Sequence, residues 1–425
     1  MITDFHKIEK VNGTLNLPGD KSISHRSVMF ASMAKGKSII KNLSNGEDVK
    51  STQKCFKQLG TEITQQKDHV EVTGKGFKGF MEPKAELDCG NSGTTVRLIS
   101  GILSPQEFST TLIGDASLSK RPMSRIIEPL SLMGAKINSA NGYLPLVIKP
   151  SENIIPLSYE LKVASAQVKS AMLLCGLHSD APSFIAESKE TRDHTERMLG
   201  LPTRFENGKK IIETSKQYYP EAKEYFVPSD ISTAAFFMVL ALLSKNSELI
   251  IKNVSLNPSR IGIIEVLKKM NGSIEVLNQK TSSGEDFGDL LIKSSQLINS
   301  EIPLHLIPNI IDEIPILAIA GIFAEGKFNI SGAEELRIKE SDRIKSMVFN
   351  LSKLGIAVEE KQDGFEFELT DHTFPKVTFD SFDDHRIAMA FAVLSMLNEN
   401  GGSIENFDCA RISNPNFVNQ INSII

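Results

Sequence analysis

Apolar positions along the chain fall into two alternating patterns, short β-rich runs and longer helical stretches. Small-residue helix ends lead into β-rich runs at residues 34–40, 110–113, 181–185, 247–251, 325–330 and 401–404. Six such runs at intervals of roughly 70 residues mark an internally repeated fold. A second element travels with them at 59–63, 133–137, 270–274 and 354–358. Each reads as a helix stopped by glycine and followed by a strand. Alternating helix and strand units of this size indicate an α/β protein of two domains with three repeats each.

The strongest proline-marked breaks, at 17–20 and 226–230, stand at matching points of the repeat count. They predict an inserted domain at 18–228 and a second domain built from 1–17 plus 229–425, with residues 1–17 adding an edge strand. The two crossover segments would serve as a hinge.

A chain of 425 residues agrees with two cores. With 40% hydrophobic residues, 23% charged residues and a net charge of −5, it lacks a nucleic-acid binder's basicity. No apolar run reaches the 18 to 20 or so residues of a membrane span, and no signal peptide opens the sequence. Cys55, Cys89, Cys175 and Cys409 follow no metal-ligand spacing, and His25, His194, His305 and His385 are scattered. Free thiols in the cytoplasm and the absence of any metal or cofactor are therefore expected.

Charge is concentrated where apolar helices begin. Lys21-Ser22-Ile23-Ser24-His25-Arg26 follows Pro18-Gly19-Asp20, and a helix is expected from Ser22 or Ser24. A helix start stabilises an anion, and Lys21 and Arg26 are about one and a half turns apart. Residues 88–97 (Asp-Cys-Gly-Asn-Ser-Gly-Thr-Thr-Val-Arg) open a second apolar helix. Lys120-Arg121-Pro122 forms a cationic turn before a third, from Met123 to Met133. Ser165, Ala166 and Gln167 enter another apolar run, with Ser165 or Gln167 available as a cap. Thr191-Arg192-Asp193-His194 is a further basic start, where Asp193 or Thr191 would cap. In the second domain Asp312-Glu313 precedes an almost wholly apolar segment, and residues 337–343 carry five formal charges in seven residues. An ordinary helix would leave such a run as a solvated, self-paired face. Asp383-Asp384-His385-Arg386 leads directly into a buried helix, which packing alone does not explain.

Taken together, seven clusters resemble the EPSP synthase family across both domains. They are G-D-K-S-I-S-H-R at 19–26, G-N-S-G-T at 90–94, K-R-P at 120–122, S-A-Q-V-K-S at 165–170, D-E-I-P at 312–315, K-E-S-D-R at 339–343 and D-D-H-R at 383–386. The S-A-Q and T-R-D-H-T-E wording is closest to the family's second bacterial class. The resemblance implies the two-domain enolpyruvyl transferase fold, an inside-out α/β barrel with three βαβαββ-type repeats per domain. It also implies enolpyruvyl transfer from phosphoenolpyruvate to the 5-hydroxyl of shikimate 3-phosphate, releasing phosphate, as a step toward aromatic amino acids. Lys21, Ser22, Arg26, Ser165, Ala166, Gln167, Arg192, Asp312 and Lys339 resemble the shikimate 3-phosphate contacts. Lys21, Asn91, Gly93, Arg121, Gln167, Arg343 and Arg386 resemble the phosphoenolpyruvate contacts.

Addition and elimination need a base for the hydroxyl and a group that gives and retrieves a proton at C3. Asp312 and Glu340 suit these parts, with Lys21 sharing proton transfer. Domain closure over the substrates and a monomer are expected. Gly93 stands where family members meet the herbicide glyphosate. Ile412, beside Arg411, occupies a slot where many members carry lysine. The related transferase acting on UDP-N-acetylglucosamine usually has a reactive cysteine near K-R-P, and residues 114–130 contain none. A non-catalytic phosphometabolite scaffold would not need both Asp312 and Glu340.

Overall fold

A helix apolar on most sides has to be covered all round. Six helices meet that description: Lys21–Met33, Gly93–Leu103, Ala166–Gly176, Ile231–Leu243, Ile314–Ile322 and His385–Leu397. The computed structural model describes residues 2–370 and 372–425 and resolves them into two compact units. Each unit buries three of these helices at the centre of its own core.

In the unit formed by Gly19–Pro228, three four-stranded sheets follow one plan. Lys35–Lys41 pairs in parallel with Glu224–Phe226 and antiparallel with His69–Lys75, which carries Glu62–Gln65 on its far side. Thr110–Ile113 repeats this with Leu87–Asp88, Tyr143–Lys149 and Lys136–Ala140. Ser183–Glu187 repeats it again with Ser158–Glu160, Lys209–Thr214 and Thr203–Glu206. The other unit is built on Glu248–Ser255, Lys327–Ile330 and Gly402–Glu405 as corresponding strands. All six runs expected from the sequence form strands.

Three expectations need correction. The N-terminal residues supply two edge strands instead of one: Ile2–Phe5 joins Gly402–Glu405, while Asn12–Asn16 joins Glu248–Ser255. The helix–strand junction at 270–272 turns on Asn271 (φ 70°) and not on Gly272, whereas Gly60, Gly134 and Gly355 do take the left-handed conformation. The units divide at Pro18/Gly19 and Pro228/Ser229, and the turn Thr281–Glu285 groups with the Gly19–Pro228 unit. That turn is held by Glu285, whose Oε1 lies 2.8 Å from His194 Nδ1, both side chains being buried. Gly284 meets Arg197 so closely that a Cβ would sit 2.2 Å from its carbonyl oxygen.

The two crossover segments exchange hydrogen bonds symmetrically. In one unit Asp230 N donates to Pro18 O at 3.1 Å, and in the other Asp20 N donates to Pro228 O at 2.7 Å.

Two helices pack closely in the Gly19–Pro228 unit, where Gly101 leaves room for the backbone of Ala171. A Cβ there would lie 2.1 Å from Ala171 O. Gly101→Ala must push the two helices apart, and the expected loss is about 1–3 kcal/mol. Urea denaturation followed by circular dichroism measures it, and an unchanged midpoint would show that the contact carries no strain.

Candidate active site

The first cluster begins one residue earlier than expected. Asp20 is the cap, its carboxylate accepting from Ile23 N at 2.9 Å, and the helix runs from Lys21. Aspartate is as good a cap as serine, and it stands next to the Pro18-Gly19 break. Lys21 Nζ contacts Asp48 Oδ2 at 3.0 Å. Arg26 points inward: Nε donates to Thr195 Oγ1 at 2.7 Å, Nη1 to Ser22 O at 3.0 Å and Nη2 to Ser170 Oγ at 2.8 Å. Burial draws its pKa down to about 10 against the pull of Glu196 and Glu285. His25 is buried beside it on Thr52, and burial pushes it down to about 3, so it is neutral. Thr52, Thr95 and Ser92 continue as a buried chain of hydroxyls, and Ser92 caps the second core helix.

Around that second start the side chains form a connected set. Asn91 donates to Asp115 Oδ2 at 2.7 Å and accepts from Arg121 Nη2 at 2.9 Å. Arg97, one turn beyond Gly93, donates to Gln167 Oε1 at 2.6 Å, and Gln167 Nε2 donates to Thr94 Oγ1 at 3.0 Å. A Cβ on Gly93 would meet Arg97 Nη1 at 2.7 Å and Arg121 Nη1 at 3.6 Å, so glycine lets both guanidiniums stand over the helix start. Burial and the neighbouring cations Arg121 and Arg125 lower Arg97 to about 10. Arg97 is not among the residues expected from the sequence to bind substrate; its signal is the i, i+4 spacing from Gly93, which puts both on one helix face.

Ser165 caps the third core helix through Val168 N, leaving Ala166 and Gln167 in the first turn. At 191–197 Asp193 takes the N-cap position of the helix His194–Leu199 without a side-chain cap bond, and Thr191 does not cap it. Thr191 Oγ1 donates to Glu187 at 2.7 Å, and Asp193 accepts from Arg197 Nε at 2.7 Å. Arg192 lies near enough to Arg26 for their charges to oppose each other.

In the other unit the charged run 337–343 is not one helical face. A 3-10 turn, Glu334–Ile338, is followed by a loop, and the helix starts at Arg343 under an Asp342 cap. The outer charges pair locally, Lys339 with Glu335 and Arg337 with Asp342. Arg343 is buried among three carboxylates: Asp384 Oδ2 at 2.8 Å, Asp312 Oδ1 at 3.2 Å and Glu340 Oε2 at 2.7 Å. Burial opposes its charge, but these carboxylates raise its pKa above the usual value. Asp384 also caps the helix His385–Leu397, accepting from Arg386 N at 2.9 Å.

Arg386 Nη1 donates to Asp312 O at 3.0 Å, while Nη2 stands 3.7 Å from Asp312 Oδ2. It also faces the buried Glu313, which accepts from Ser232. Burial raises Glu313 despite Arg386 and Arg260. The structure therefore joins Asp312, Glu340, Arg343 and Arg386 in one network and leaves Lys339 at its edge. Asp384 and Glu313, not chosen from sequence, are integral to it. Arg411 is exposed on the short turn Phe407–Ile412. Among the described residues no group of three or more His, Cys, Asp or Glu could hold a metal ion.

Comparison with known proteins identifies the family of the chain. A family model described as EPSP synthase (3-phosphoshikimate 1-carboxyvinyltransferase) matches residues 5–421. The chain is 46% identical over 416 residues to the 3-phosphoshikimate 1-carboxyvinyltransferase of Petrotoga mobilis, covering 96% of both. It is 46% identical over 415 residues to that of Caldicellulosiruptor saccharolyticus, covering 96% of this chain and 95% of that protein. A solved EPSP synthase from Acinetobacter baumannii superposes with a TM-score of 0.90 at 38% identity, covering 100% of this chain and 98% of that one. The enolpyruvyl transferase NikO from Streptomyces tendae, 13% identical with a TM-score of 0.75 over 100% of this chain and 97% of that one, shares the fold. On these grounds the chain belongs to the EPSP synthase (3-phosphoshikimate 1-carboxyvinyltransferase) family.

Proposed function

We propose that this protein transfers the enolpyruvyl group of phosphoenolpyruvate to the 5-hydroxyl of shikimate 3-phosphate, with Asp312 and Glu340 moving the protons. The observation that carries this reading is that one buried guanidinium, Arg343, holds both carboxylates, at 3.2 and 2.7 Å. A base and a proton donor fixed to one planar donor keep their spacing through two steps that need them in opposite senses.

In the addition, the hydroxyl oxygen bonds to C2 and its proton passes to Asp312. The enol π electrons take a proton at C3 from Glu340, giving a tetrahedral adduct. In the elimination, the bond from C2 to the phosphate oxygen breaks and Glu340 takes a proton back from C3. Phosphate leaves with the electron pair and carries off the hydroxyl proton that Asp312 held, and Arg121, Arg343 and Arg386 offset the charge it gains. Lys21 shares the proton traffic. Ser22, Arg26, Ser165, Ala166, Gln167, Arg192 and Lys339 bind shikimate 3-phosphate, while Asn91, Gly93 and Gln167 complete the phosphoenolpyruvate set. The crossovers near 17–20 and 226–230 act as the hinge of this reading. A monomeric, cytoplasmic enzyme suits its four free thiols.

Phosphate release tests the activity: it is expected with phosphoenolpyruvate plus shikimate 3-phosphate and not with UDP-N-acetylglucosamine in its place. Folded protein that releases none would remove the reading. Asp312→Asn and Glu340→Gln should each fold normally and lose kcat by about a hundredfold or more. Rates near wild type in both would take the proton roles away.

Asp384 gives a pH-dependent check on the anchor of Arg343. Burial works against its carboxylate, but Arg343 and His385 prevail and hold it below the ordinary value. Its stabilisation is therefore complete above the unfolded value of about 4 and fades as pH falls through the lower folded value. Asp384→Asn should lower the thermal midpoint most at neutral pH, and the gap from wild type should narrow below about pH 4. A gap that stays constant with pH would show that the charge of Asp384 does not stabilise the fold.

A further inference from the structure

Beneath the third core helix of the Gly19–Pro228 unit lies a buried ionic cluster outside the chemistry described so far. Lys169 is fully buried, and its Nζ stands 2.8 Å from both Glu187 Oε1 and Glu196 Oε1. It also donates to Thr191 O at 3.4 Å. Glu187, at the end of the strand Ser183–Glu187, uses its other oxygen on the same turn, accepting from Thr191 N at 3.2 Å and Thr191 Oγ1 at 2.7 Å. Thr191 is thus gripped at its amide, carbonyl and hydroxyl by a lysine–glutamate pair that has no exposed surface. Burial opposes the charge of Lys169, yet Glu196 and Glu187 raise its pKa, so the lysine stays protonated.

A buried ion pair is an inefficient way to gain stability, since apolar side chains of similar size do as well or better. What it does supply is a fixed geometry for the groups it holds. The residue it holds is the immediate neighbour of Arg192. From the far end of the same short segment Thr195 engages Arg26 and Ser170. We propose that Lys169 and Glu187 are positioning residues that clamp Thr191 and so set where Arg192 presents its charge to the phosphorylated substrate. The clamp rests on the reading above in which Arg192 binds shikimate 3-phosphate. Its work is in ground-state recognition of one substrate, leaving the proton transfers and phosphoenolpyruvate untouched.

Steady-state kinetics on the full-length enzyme separate this from a structural role. Thr191→Val keeps the shape and the ion pair but removes the hydroxyl donor. It should raise KM for shikimate 3-phosphate about fivefold, on the scale of one ordinary net hydrogen bond, with kcat and KM for phosphoenolpyruvate within about twofold. Thr191→Ser should restore the wild-type value. Glu187→Gln should raise the same KM by about tenfold. Combining Thr191→Val with Arg192→Ala should add nothing beyond Arg192→Ala alone, because the clamp acts only through that arginine. An unchanged KM in folded Thr191→Val, or full additivity in the double variant, overturns the clamp. Should Glu187→Gln fail to fold, the Thr191 pair decides. If Arg192→Ala alone leaves KM unchanged, the assignment of Arg192 falls and the clamp with it. If Arg192→Ala raises KM and Thr191→Val does not, only the clamp falls.

Discussion

A helix buried on all sides must still satisfy the first N–H groups of its own backbone, and no water is available along its length to help. That constraint organises this protein. Asp20, Ser92, Ser165, Asp230 and Asp384 each cap a core helix with a side-chain oxygen. Polar residues therefore gather at one end of each apolar rod. Lys21, Gly93, Gln167, Asp312 and Arg386 all lie within two residues of such a start or in its first turn. The residues proposed to act on substrate sit where the packing already demanded polar groups.

The repeat plan was readable because its signals are local: a β-rich run, a left-handed stop and the next strand recur within short windows. Helix starts were read less accurately. At Lys21 two serines competed with Asp20 for the cap, and only the placement of the chain after Pro18-Gly19 decides between them. At Asn271 asparagine took the left-handed position from the adjacent glycine, which local propensity does not resolve. Most of the site residues were visible as charge before an apolar helix. Arg97, Asp384 and Glu313 stand in the same motifs, but their connections run to partners far away in sequence. Arg97 needs Gln167, 70 positions on, and Arg343 joins residues from three separate segments.

The two units handle charge differently. In the Gly19–Pro228 unit burial weakens the hold of Arg26 and Arg97 on their protons, so an anion placed against them would relieve an existing electrostatic cost. In the other unit Arg343 and Arg386 face four carboxylates, Asp312, Glu313, Glu340 and Asp384. There the cations are oversupplied with partners, and a bound anion must compete for them. In the proposed reaction the first set receives a phosphorylated molecule, while the second holds Asp312 and Glu340 fixed beside cations.

The exchanged bonds of the crossover segments fix where the inserted unit begins and ends. Asp230 N rests on Pro18 O, and Asp20 N rests on Pro228 O. Residues 19 and 228 are therefore neighbours at the base of their unit, as are 18 and 229 in the other. A gene segment whose product begins and ends at one spot can enter a host coding sequence, or leave it, without disturbing the sheets on either side. The discontinuous unit is therefore interrupted at one place in its fold, between two residues that stand side by side.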